Sequence, residues 1–241
     1  MKNQLISIIF ILSAIVTFSQ NFEGTITYIT DFEVSPKMIE KGLTKEVLLE
    51  KMKNDGLNFD TIFISYKNGS YYKYSTNKLK TWSLYTDSSQ NIYTVSNGIE
   101  NEICTITNAN LDTEYAYFNI MPTVNKLDTI VTVNGIDCSI TRVKWKSGYY
   151  DYYFNSDILK TDPKLFSHHV YDGFYEFLKI SNSLPIKIVK YGGSSMTTTE
   201  TLINFNQESI DNKVFYIPNL IDDKSLNYVK IPNRKTMRII K

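Results

Sequence analysis

Along most of the chain, hydrophobic and polar positions alternate in short runs separated by turn residues. A period of two is the signature of strands with one buried face. Phe22 to Thr30 opens the series, with Ile26 and Tyr28 on one side. Thr61 to Lys67 groups Ile62, Ile64 and Tyr66, and Ser70 to Ser75 returns with Tyr72 and Tyr74 together. Asn68-Gly69 between them predicts a tight hairpin, because both residue types tolerate the positive φ of a primed turn. Lys80 to Thr86, Asn91 to Ser96, Glu102 to Thr107 and Glu114 to Ile120 read as further strands, with a turn at 87–90. Asp128 to Val133 leads through a second such turn, Asn134-Gly135, into Ile136 to Trp145. Lys146-Ser147-Gly148 then turns the chain into Tyr149 to Phe154. Pro185 to Tyr191, Thr197 to Phe205 and Lys213 to Ile217 complete the series, and Pro218 ends it.

One insert breaks the strand pattern. Ser35-Pro36 suits a first helical turn, since proline at the first position gives up an N–H that has no partner anyway. Thr44 can cap a second helix, in which Val47, Leu48, Met52 and Leu57 form an apolar stripe and Gly56 a stop. Residues 155–173 are punctuated by aspartate, proline and glycine and predict a short helix or long loop. Phe174 to Ile180 fits helix or strand. Residues 219–241 carry no clear pattern and read as a loosely held tail.

The N-terminus sets the expected compartment. Lys2, an apolar run from Leu5 to Phe18 and the small-residue exit Thr17-Phe18-Ser19 form a signal-peptide layout over 1–19. The run falls short of the roughly 20 residues that a spanning helix needs. With no cysteine near the cut, lipid attachment is not expected. Residues 20–218 then form one β-rich domain, periplasmic or secreted, with no stable membrane anchor after cleavage.

Composition narrows the function. Lysine plus arginine is 26 and aspartate plus glutamate 25, so the basic surplus of a nucleic-acid binder is missing. Cys104 and Cys138 each sit in a strand-like run. An oxidising compartment favours a disulfide between them, and two separate buried thiols are the alternative. There is no Gly-x-Ser-x-Gly elbow, phosphate loop or dinucleotide turn. Gly192-Gly193-Ser194-Ser195 reads as a turn rather than a nucleophile site. His168 and His169 read as a solvated loop pair, and no metal-ligand spacing accompanies them. No catalytic residue, metal or cofactor is expected.

Aromatic content is the remaining feature, with 18 tyrosines and 13 phenylalanines. In Tyr149 to Phe154, Tyr150, Tyr152 and Phe154 share one face, while Tyr149 and Tyr153 share the other. From the residues alone this is a strand covered on both sides, or a sheet whose concave face lines a cavity.

The order of the later segments resembles a known family. Leu184-Pro185-Ile186-Lys187-Ile188-Val189-Lys190, Gly192-Gly193, the threonine-rich run Thr197 to Phe205 and Val214-Phe215-Tyr216-Ile217-Pro218 look like the closing strands of the outer-membrane lipoprotein carrier superfamily. Phe22 to Tyr28 is similar to the opening strand of secreted Gram-negative members, and Gly135-x-x-Cys138 with the tyrosine-rich strand fits as well. The resemblance implies a mainly β (α+β) fold, a curved antiparallel sheet or half-barrel closed by one or two helices around an apolar pocket. It supplies no catalytic residues. The expected activity is binding of a lipid, a lipidated partner or another hydrophobic ligand, with Trp82, Trp145, Tyr152 and Phe154 lining the pocket. A cell-envelope interaction module with a filled core is the alternative, and a saccharide-active hydrolase with carboxylates from separate strands stands behind both.

Overall fold

The structure is a computed structural model that describes residues 21–55, 61–76, 80–96, 103–193, 196–226 and 231–240. Both Asn-Gly pairs make the hairpins they predict. φ is 46° and 75° at Asn68 and Gly69, and 49° and 80° at Asn134 and Gly135. The first turn joins β2 (Thr61–Lys67) to β3 (Ser70–Ser75), and the second joins β7 (Thr123–Val133) to β8 (Ile136–Lys144).

Two antiparallel meanders build one sheet. The first runs from β1 (Gly24–Val34) through β2 and β3 to β4 (Trp82–Thr86), β5 (Asn91–Ser96) and β6 (Ile103–Asn108). The second runs from β7 and β8 through β9 (Tyr149–Phe154) and β10 (Lys187–Tyr191) to β11 (Met196–Gln207). The long strands β1 and β11 pair and fuse the two, with a register shift between Thr27 and Tyr28. Beyond β6 lie β13 (Arg234–Ile239) and the short β12 (Leu220–Ile221). The fold is mainly β, and the sheet stays open, with β12 and β7 as its edges.

Among the described residues the α-helices are α1 (Pro36–Ile39) and α2 (Lys45–Asn54) in the insert, α3 (Thr113–Phe118), and α4 (Phe174–Ser181). Thr44 caps α2 by accepting from the Val47 N–H, as its position predicts, but α2 buries no residue and Val47 is half exposed. Gly56 and Leu57, the expected stop and last stripe residue, lie outside the described residues, as does the expected signal peptide. No described helix is long and apolar enough to cross a membrane.

The segment between β9 and β10 fills one face of the sheet. Leu159, Phe166, Phe174, Phe177, Leu178 and Leu184 from it pack on Ile26, Tyr28, Ile64, Tyr85, Tyr152 and Phe154. Tyr85 of β4 meets Phe166 at 6.2 Å, and Tyr152 of β9 stacks on Phe177 at 4.5 Å. Phe174 touches both phenylalanines. In a flat sheet β4 and β9 would stand roughly 29 Å apart, six spacings of about 4.8 Å. Reaching one small cluster from both requires the sheet to bend around it. On the opposite face, Trp82, Leu84, Val95 and Cys104 lie under Phe215, Ile217 and Leu220 of the C-terminal segment. Consecutive Leu84 and Tyr85 are therefore both fully buried, one on each side.

Several expectations are corrected. Glu114 to Ile120 is helical through Phe118, because Asp112 caps the turn and its aromatics do not alternate between core and solvent. Lys213 to Ile217 is not a strand: a 3-10 turn spans Asn212–Phe215, capped by Asp211. The supposed tail at 219–241 contributes β12 and β13, because the edge of β6 offers free backbone partners. Cys104 and Cys138 are both free and buried. β6 and β8, which carry them, are separated by β5, β4, β3, β2, β1, β11, β10 and β9. His169 is not solvated: it is buried, its Nε2 lies 3.0 Å from the Tyr71 hydroxyl, and burial pushes its pKa down to about 4. His168 keeps its side chain in solvent, as expected, and lies 2.9 Å from Asp87.

Candidate functional site

The two short turns flanking β9 carry the site. Asp112 precedes α3, and one of its carboxylate oxygens accepts from the N–H groups of Glu114 and Tyr115 at 2.9 and 3.2 Å. Its other oxygen accepts from Trp145 Nε1 at 3.0 Å. The Glu114 carboxylate takes both the Lys146 and Ser147 N–H groups at 2.9 Å. Two acidic side chains thus fasten α3 to the β8–β9 turn. Gly148 completes that turn, since a Cβ there would collide with the Tyr191 carbonyl oxygen.

From the other side comes a 3-10 turn at Tyr171–Gly173, where Asp172 and Gly173 both have left-handed φ, 58° and 64°. Aspartate tolerates that region better than most residues. At Gly173 a side chain would strike Val143. The Tyr152 hydroxyl donates to the Asp172 carbonyl at 2.8 Å and holds the turn from beneath. Arg234, at the start of β13, donates from Nη2 to the Tyr171 hydroxyl at 2.7 Å, while its Nε is buried without a partner. Asn233 beside it donates to the Leu111 carbonyl at 2.8 Å and ties β13 to the chain entering α3.

These pieces enclose a cleft of about 280 Å³, with Trp145, Tyr150, Tyr171, Asp112, Asp172 and Arg234 among its walls. Trp145 and Tyr150 meet edge to face at 4.8 Å. Tyr149 and Tyr191 stack at 4.9 Å at the rim, with the Arg142 guanidinium 3.9 Å above the Tyr149 ring. Asp172 lines the cleft and is half-buried as a residue, with its carboxyl group surrounded by protein. No described residue donates a hydrogen bond to it. Burial raises its pKa to about 6, with Lys190 opposing the rise and Asp112 adding to it.

Behind the cleft lies an ionic triad around the buried carboxylate of Glu200, with two half-buried lysines. Glu200 accepts from Lys190 Nζ at 2.7 Å and from Lys73 Nζ at 3.2 Å. Burial alone would raise the Glu200 pKa, but the two ammonium groups outweigh it and hold the carboxyl down to about 2. Burial in turn lowers the pKa of Lys73. The triad spans β3, β11 and β10, so it also pins the bend of the sheet.

The four residues expected to line a pocket do not meet. Trp145 borders the cleft. Tyr152 supports its floor and stacks on Phe177, and Phe154 packs edge to face on the same ring deeper in the core. Trp82 lies on the other face of the sheet, 5.8 Å from Tyr72. Sequence reasoning missed Asp112, Tyr171, Asp172 and Arg234. Asp172-Gly173 was readable as a turn, but nothing local marks its carboxylate as unpartnered. Ser194 and Ser195 of the glycine–serine turn lie outside the described residues. Among the described residues no group of three or more His, Cys, Asp or Glu side chains is placed to hold a metal. No family model matches the chain, and comparison with curated proteins returns no relative.

Proposed function

We propose that this protein is an exported, non-catalytic binding protein of half-barrel type, periplasmic or secreted, whose ligand occupies the aromatic cleft. In this reading α4 and the loops around it close the half-barrel by filling it. An acyl chain inside the sheet would have to displace Phe166 and Phe177, both almost fully buried. The cleft asks for no such displacement. The observation that carries the reading is Asp172, a residue of the cleft wall whose carboxylate is enclosed by protein and accepts no hydrogen bond from any described residue. Buried acceptors normally have partners, and an unpartnered one in a cleft wall suits a donor brought by a ligand.

The same geometry weighs against hydrolysis. A glycosidase needs two carboxyl groups free to act across the scissile bond. Asp112 and Glu114 have both oxygens engaged by the fold, which leaves Asp172 as the one free carboxylate on the described cleft wall. A protein-interaction role has one observation in its favour: Tyr117, Phe118, Ile120 and Met121, beside the cleft, are each about half exposed.

The test is mass spectrometry of small molecules extracted from natively purified protein and from a Tyr150→Ala variant whose circular dichroism matches the parent. A bound species present in the parent and depleted in the variant is the expected result. Equal recovery from both, or no co-purifying species and no uptake of a hydrophobic fluorescent probe or any soluble ligand tested, would defeat the reading.

A further inference from the structure

The cleft combines three properties that together select a ligand class, given that the cleft is the binding site. Its walls are aromatic: Trp145 and Tyr150 form one corner and Tyr171 another. Its wall includes Asp172, whose carboxylate has no donor among the described residues. Arg234 also lines the cleft, and its buried Nε is a donor with no acceptor among the described residues, on a guanidinium otherwise held by the Tyr171 hydroxyl. Its charges are already balanced locally. Asp172 stands within electrostatic range of Lys190, Lys73 and Arg234 as well as Asp112.

That balance argues against an ionic ligand. An organic cation would suit the rings and Asp172, but it would add to the positive charge of Arg234 and Lys190. An anion would approach Asp112, Glu114 and Asp172. A fatty acid could bring its carboxylate to Arg234, but it would leave Asp172 without a donor and set a second negative charge near it, and an unpaired polar group in an enclosed site costs more than a neutral contact gains. A neutral polyhydroxylated ring meets all three conditions. Each hydroxyl can donate to Asp172 and accept from Arg234. The C–H face of a pyranose carries partial positive charge and lies well on the negative face of an indole or phenol.

We propose that the cleft binds a saccharide, with a sugar ring against Trp145 and Tyr150 and its hydroxyls on Asp172 and Arg234. The binding is non-hydrolytic, since one free carboxylate does not make the pair that glycosidic cleavage requires. Arg234 would turn slightly to present its Nε, exchanging a buried orphan for a bonded group.

Trp82 and Trp145 are the only tryptophans in the chain. Trp82 lies on the opposite face of the sheet, so a Trp82→Phe variant leaves Trp145 as a reporter of the cleft. The folded mature protein is first screened on a glycan array. The best-binding oligosaccharide is then titrated against Trp145 emission, with choline chloride and decanoate as separate probes. A saturable shift with the sugar alone is expected, weakened about tenfold by Asp172→Asn, which replaces a charged acceptor by a neutral one and sets an NH2 donor beside it. Tyr150→Ala should weaken it too, and the circular dichroism of both variants guards against misfolding. No array binding, or sugar binding that leaves Trp145 emission unchanged, overturns the saccharide inference. A shift with choline or decanoate but no sugar also overturns it while leaving the cleft as a binding site. Failure of the cleft reading itself shows separately, in the extraction experiment with Tyr150→Ala.

Discussion

Replacing Asp172 by asparagine should stabilise the fold at neutral pH. Asparagine has nearly the same shape and tolerates the left-handed backbone of this position, so the substitution removes a charge with little strain. The carboxyl has an ordinary pKa of 3.8, raised to about 6 in the folded protein chiefly by burial. Because the folded value lies above the unfolded one, the folded state holds the proton more tightly. The group's contribution to stability is therefore full below about pH 4 and is lost as pH rises through about 6. At about 1.4 kcal/mol per pH unit the difference between 3.8 and about 6 corresponds to about 3 kcal/mol, and the half-burial of the residue lowers the expectation to about 1–3 kcal/mol. Urea unfolding followed by circular dichroism, at about pH 4 and about pH 7.5, measures it. The variant should match the parent at the lower pH and exceed it at the higher. A variant less stable than the parent at the higher pH, or an equal gap at both, would refute the argument. A residue that costs stability yet stays charged at neutral pH is what a ligand site, rather than a structural role, accounts for.

Glu200→Gln should act in the opposite sense. Its pKa, depressed to about 2 from 4.5, gives stability that is present above about pH 4.5 and lost as pH falls through about 2. Urea unfolding should show a loss of about 3 kcal/mol at neutral pH, with the gap to the parent closing in acid. Phe177→Ala empties the centre of the fold and should cost about 3–5 kcal/mol in the same assay. A loss below about 1 kcal/mol would mean that α4 does not fill the sheet as described. Thiol titration should find two free thiols in denatured protein and neither reactive in the native state, because both are buried and burial pushes Cys104 up to about 11 and raises Cys138. Fewer than two on unfolding would restore the bridge. Gly173→Ala should destabilise by more than about 1 kcal/mol, through its left-handed φ and the clash with Val143.

The local grammar of the chain was legible without coordinates. Asn68-Gly69 and Asn134-Gly135 turn because of their own φ preferences, Thr44 caps because of its own hydroxyl, and the alternation in Thr61 to Lys67 and Tyr149 to Phe154 sorts their faces as read. Each of these depends on a few neighbouring residues. What the tertiary structure alone decided depends on partners far apart in sequence. Phe177 fills the side that alternation marked as inward, which no periodicity can distinguish from an empty pocket. Cys104 and Cys138 part company because strand order, not strand content, sets their separation. The final segment becomes β13 because the edge of β6 lacks a partner, and that pairing brings Arg234 beside Asp172. A cleft assembled from α3, two turns and a C-terminal strand has no sequence signature, because its geometry arises only when the sheet bends and joins them.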